Sequence, residues 1–157
     1  MNTLHYGKRF YTMKTGKNVV IVGAKRTPIG SFMGMLKDMS TTSLGAAAAR
    51  GAIIHAGLEP SDVQEAFMGC VIQAGLGQAP DRQAVLGAGC DTGTPTTAIN
   101  KVCASGMKSV MIGASQIRLG DRSIVLAGGM ENMSKIPHYQ YLRKPTGYGH
   151  SNIIDAI

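Results

Sequence analysis

The sequence contains no tryptophan, and aromatic residues make up only 5% of its 157 positions. With so few stacking side chains and no basic helix face interleaved with aromatics, nucleic acid is not an expected partner. No apolar run reaches the ~18 to 20 residues that a membrane-crossing helix needs, so no membrane span is expected. Charged residues are also sparse, at 16%, while hydrophobic ones reach 44%. That balance belongs to a chain that buries a core, and the length suits one domain. The three cysteines, Cys70, Cys90 and Cys103, stand far apart without a CxxC pair or a histidine at ligand spacing. No metal site and no disulfide framework are expected, and free thiols in a reducing compartment are.

Acidic residues are missing from one region. Positions 1–37 hold seven basic residues (Lys8, Arg9, Lys14, Lys17, Lys25, Arg26 and Lys37) and no acidic one. The other 120 positions carry nine of each sign, so the net charge of +7 is one basic end on a neutral body. Residues 1–17 read as a flexible basic segment without periodicity. Tyr6, Arg9, Phe10, Tyr11, Thr12 and Thr15 give it the acid-poor, hydroxylated character of an organelle-targeting remnant. Mitochondrial localisation is the first expectation and a cytoplasmic tail the alternative.

Glycine (21 residues) and methionine (10 residues) are abundant, and alanine runs through several segments. Such a mixture suits close packing of backbone on backbone. Residues 18–24 (NVVIVGA) predict a buried strand, and Thr27-Pro28 with Gly30 a loop. A helix is expected from residues 40–43 to residue 55 or 56, closed by Gly57 and Pro60. Further strands are expected over 66–73, 96–102 and 123–127. A short helix over 82–87 and a longer one over 103–119 complete the alternation; the stretch after Met130 reads as exposed loop, and residues 153–157 start another element. Strands alternating with helices imply a parallel or mixed sheet under helical cover.

The stretch AINKVCASGMKSVMIGASQIRL, residues 98–119, carries the chemistry. A strand runs into Cys103 at the expected start of a helix, with small residues behind it. First-turn amides lack intrahelical acceptors and the helix dipole favours negative charge, both of which stabilise a thiolate. The same amides are suited to an oxyanion formed when a thioester carbonyl is attacked. A buried, unreactive small hydrophobe is the other reading of such a cysteine. The helix is apolar nearly all round, which predicts a place between layers. Cys70 and Cys90 read as structural, and His55 as a helix-end cap or a solvated side chain. Gly75 to Gln78 lacks the following Lys and Ser/Thr of a phosphate loop.

INKVCASGMKSVMIGASQI resembles the acyl-carrier cysteine segment of the thiolase family. VVIVGAKRTPIGSFMGML is similar to that family's opening strand and Arg-Thr-Pro-x-Gly turn. GCVIQAGLGQAPDRQAVLGAG and VLAGGMENMSKIPH are similar to later segments in the same order. The likeness runs over about residues 18–150 and lies nearest the biosynthetic or mitochondrial subgroup that acts on acetyl-CoA. It implies a layered α/β fold, a mixed sheet covered by helices, of which residues 18–157 form an N-terminal, incomplete domain. It implies Cys103 as the catalytic residue, acetyl-CoA, acetoacetyl-CoA and CoA as substrates, no separate cofactor, and a homo-oligomer. Cofactor-binding residues stay unassigned.

Members of the family also need Gly-His-Pro, Cys-x-Gly and Asn-Glu-Ala-Phe motifs. None occurs here, and His5, His55, His138 and His150 all lack the first context. Asp81 departs from the small residue expected between Pro80 and Arg82. A β-ketoacyl synthase is the runner-up enzyme, and a non-catalytic truncated product the rival from another class. Fusing residues 1–20 to a fluorescent reporter tests the targeting expectation: punctate mitochondrial signal with cleavage is the expected outcome, and uniform cytosolic signal contradicts it.

Overall fold

The computed structural model describes residues 18–143 and 147–157. The basic segment over 1–17 lies outside the described residues. Within them, helix α1 (Thr41–His55) starts at Ser40, whose hydroxyl accepts the Ser43 amide at 3.0 Å. That bond satisfies one of the free amides at a helix start. Its buried stripe, Thr41, Gly45, Ala49 and Ile53, repeats every four residues. Strand β1 (Glu65–Gly69) follows, and then helix α2 (Pro80–Gly87), with proline in the first turn, where a missing N–H costs nothing. Strand β2 (Thr96–Ile99), helix α3 (Ser105–Leu119) and strand β3 (Val125–Gly129) complete the body. Beyond it, β4 (His138–Tyr139), in the stretch expected to be loop, pairs with β5 (Ile154–Asp155), in the element expected over 153–157, as a small antiparallel ribbon.

The three longer strands form a parallel sheet in the order β2-β1-β3. Successive side chains of a strand point to opposite faces. Ala66, Met68 and Cys70 therefore join Ile53, Ala84, Val85 and Met130 in the core shared with α1 and α2. Gly69 faces the other way, onto the start of α3. The result is three layers, helix over sheet over helix.

One expectation from the sequence is corrected. Residues 18–24 form no strand: Val20, Ile21 and Val22 are exposed, and no other strand pairs with them. The segment and β3 both line a cavity of about 510 Å³, and Gly23 packs against the backbone of α1, where an added methyl group would lie 2.4 Å from the Ala52 carbonyl oxygen. Nδ1 of His55 instead lies 3.3 Å from the Ala24 amide nitrogen and 3.2 Å from the Ala24 carbonyl oxygen, accepting from the first or donating to the second according to its tautomer. Among the described residues, helix α3 packs on the sheet by one side. Its buried positions are Ser105, Ser109 and Gly113, while Met107, Met111 and Leu119 are exposed. Only the small residues let the helix approach the sheet, so the bulky ones turn outward.

The approach is closest at the carboxyl ends of the strands, where Gly69 and Gly129 are register partners under Gly106. A methyl group on Gly69 would lie 2.6 Å from the Ser105 carbonyl carbon and 2.7 Å from the Gly106 nitrogen. Both are backbone atoms that cannot swing aside. Gly69→Ala is therefore expected to destabilise the protein by about 1–3 kcal/mol in chemical denaturation. Gly93→Ala, where an added methyl meets nothing within 4 Å, is the control and should be near neutral.

Candidate active site

The exits of β1, β2 and β3 lie together at one edge of the sheet, because the strands are parallel and in register. This carboxyl edge is where parallel α/β sheets usually bind ligands. Cys103 stands there, on the connection from β2 to α3, exposed to solvent. It does not open the helix as expected. Ala104 is the N-cap and Ser105 the first helical residue, so Cys103 precedes the helix by two positions.

The reason is a tight turn. Val102 has φ of 50°, the left-handed region, which costs a β-branched residue about 1 kcal/mol or more. The Ala104 amide donates to the Lys101 carbonyl at 3.1 Å, and the Ser105 amide to the Val102 carbonyl at 3.0 Å. The nearly buried Ser105 hydroxyl accepts the Lys101 amide at 2.9 Å and donates to the Val102 carbonyl at 2.6 Å. Two amides expected to be free are thus used inside the turn. The next in line, those of Gly106 and Met107, keep the first-turn position without a helical acceptor.

Side chains from the neighbouring exits brace this turn. Asn100 accepts the Val102 amide at 3.0 Å and donates to the Val71 carbonyl, also at 3.0 Å. The Glu131 carboxylate, after β3, accepts the amides of Val71 at 2.8 Å and Ile72 at 3.3 Å. Asn132 donates to the carbonyls of Leu36 at 3.0 Å and Met39 at 2.7 Å. Ser134 accepts the Met33 amide at 2.8 Å. Loop 31–39 is thereby fastened to the same edge. None of Asn100, Glu131 and Asn132 was singled out from the sequence. The signal present was a polar residue one to three positions beyond a strand end, where backbone groups leave the ladder and need partners.

The other thiols are set apart by burial. Cys70 is 1% exposed, and burial followed by the charges of Glu131 and Asp81 pushes its pKa up to about 11. Burial, with Asp91 second, raises Cys90 as well. Asp81, the departure noted in the sequence, is buried in the first turn of α2, where the helix dipole favours an acidic group. Gln83 ties the 75–78 loop, donating to the carbonyls of Leu76 and Gln78 at 2.8 Å each. Among the described residues no group of three or more His, Cys, Asp or Glu side chains could hold a metal ion. Nor is any helix among them long and apolar enough to cross a membrane.

Residues 19–156 match the family model of the thiolase N-terminal domain. The chain belongs to the thiolase family. That decides between the thiolase reading and the β-ketoacyl synthase runner-up. The chain is 51% identical over 155 residues to a mitochondrial acetyl-CoA acetyltransferase of Xenopus laevis, covering 98% of this chain and 37% of that protein. The mitochondrial acetyl-CoA acetyltransferase of Homo sapiens is likewise 51% identical over 155 residues, 98% of this chain and 36% of the human protein. With 98% of the chain inside these alignments, the similarity reaches into residues 1–17, earlier than the motifs indicated. The Acat5 thiolase of Ascaris suum, solved in complex with coenzyme A, superposes with a TM-score of 0.86 at 38% identity. The match covers 89% of this chain and 36% of that one. The chain thus spans little more than a third of the length of these thiolases.

Iodoacetamide at about pH 8 is expected to alkylate Cys103 before either other thiol, since only solvent-open thiolate reacts quickly. Cys70 should join only in denaturant or as the pH nears 11, because its raised pKa keeps it a neutral thiol below that. Peptide mapping by mass spectrometry reads the order, and early labelling of Cys70 or Cys90 contradicts it.

Proposed function

We propose that this chain supplies the acyl-carrier part of an acetyl-CoA acetyltransferase, with Cys103 as the nucleophile. One observation carries the reading. Cys103 is the exposed thiol of the three and stands at the carboxyl edge of the sheet, within the segment that resembles the thiolase acyl-carrier motif. Its thiolate attacks the thioester carbonyl of acetyl-CoA; a new C–S bond forms and coenzyme A departs as its thiolate. The α-carbon of a second acetyl-CoA, after losing a proton, attacks the acyl-cysteine carbonyl. Acetoacetyl-CoA forms and the Cys103 thiolate is released. The reverse sequence is thiolysis by coenzyme A.

The 157 residues hold no Gly-His-Pro and no Cys-x-Gly motif. The proposal therefore assigns both proton transfers to residues outside this stretch, and coenzyme A thioesters act as substrates without a separate cofactor. A homo-oligomer and a mitochondrial location belong to the same reading, the latter supported by the acid-free basic first 37 residues and by the names of the relatives.

Incubating the full-length protein with labelled acetyl-CoA should place one acetyl group on the Cys103 peptide. Cys103→Ser should cut thiolysis of acetoacetyl-CoA by roughly a thousandfold or more, at nearly unchanged melting temperature. Turnover retained by that variant would overturn the assignment. A protein that takes up no acetyl group would favour the non-catalytic alternative.

A further inference from the structure

Val102 combines two disfavoured features: a left-handed backbone at a β-branched residue, and a side chain 65% exposed. With so little packed against it, its conformation has to be held by hydrogen bonds on its two peptide groups. On the carbonyl side the partner is Ser105, through both its amide and its hydroxyl. On the amide side it is the Asn100 side chain. Asn100 also donates to the Val71 carbonyl, and the Val71 amide donates to Glu131. A continuous path thus runs from β3 through β1 to the residue before Cys103.

Resting on the reading of Cys103 as nucleophile, we infer that Asn100 is a positioning residue for the acyl-transfer step. It fixes the direction of the Cys103 side chain by clamping the strained Val102 peptide and tying it to the exit of β1. Asn100 touches no reacting atom in this scheme. It is itself exposed, so replacing it removes the clamp without opening a hole in the core.

The test uses the full-length enzyme and thiolysis of acetoacetyl-CoA. Asn100→Ala should lower kcat by on the order of tenfold to a hundredfold, the usual consequence of a reacting group misplaced by about an ångström. KM should stay within about twofold, because ground-state binding is not the interaction lost. Asn100→Ser should recover part of kcat, since a serine hydroxyl can accept the Val102 amide in the same kind of turn but cannot reach Val71. Val102→Gly in the Asn100→Ala background should also recover part, because glycine takes the left-handed conformation without cost. Unchanged kcat in Asn100→Ala overturns the inference, as does a loss of activity that only follows a fall in melting temperature. A loss undiminished in the Val102→Gly background overturns it too. Cys103→Ser separates the two levels: if that variant retains turnover the nucleophile reading fails, whereas if it is inactive while Asn100→Ala is not, only the clamp fails.

Discussion

Gly69, Gly106 and Gly129 let the start of α3 rest on the carboxyl ends of β1 and β3 with backbone against backbone. A methyl group on Gly129 would lie 3.3 Å from both the Gly106 Cα and the Gly69 carbonyl oxygen, so the space is already filled. Much else follows from this contact. Because the helix must come close, its inward positions can be only Ser105, Ser109 and Gly113. Their hydroxyls are satisfied locally, Ser109 donating to the Ser105 carbonyl at 3.0 Å. The methionines then project outward, and Cys103 is carried to the strand exits rather than into the sheet.

The second organising feature is polar. Three connections leave the sheet at one edge, and each carries amides and carbonyls that no ladder continues to satisfy. Asn100, Glu131 and Asn132 meet this need by bonding to connections other than their own. The result is an edge whose loops are fixed relative to one another. The acyl-carrier role proposed for Cys103 would need such an edge, since small displacements of a nucleophile are costly.

Burial divides the three thiols. Cys70 belongs to the core between the sheet and α1 and α2, where desolvation keeps it a neutral small hydrophobe. Cys90 lies in the same core. Cys103 is left with solvent on one side and backbone on the other.

The alternation of strands and helices and the capping of α1 by Ser40 were legible because each depends on neighbours within a few positions, whereas α2, expected over 82–87, starts two residues earlier at Pro80. The Cys103 segment was legible because its order of small residues is itself the family pattern. The left-handed Val102 was not: nothing local to a valine calls for that conformation, and it is held by Asn100 and Ser105 once the helix start is pinned to the sheet. Nor was the state of residues 18–24, whose apolar β-branched run predicts a strand wherever a partner exists. Sequence alone determined which residues can form each element and which thiol to suspect. The tertiary structure decided which edge that thiol occupies, because strand register and glycine contact join positions tens of residues apart.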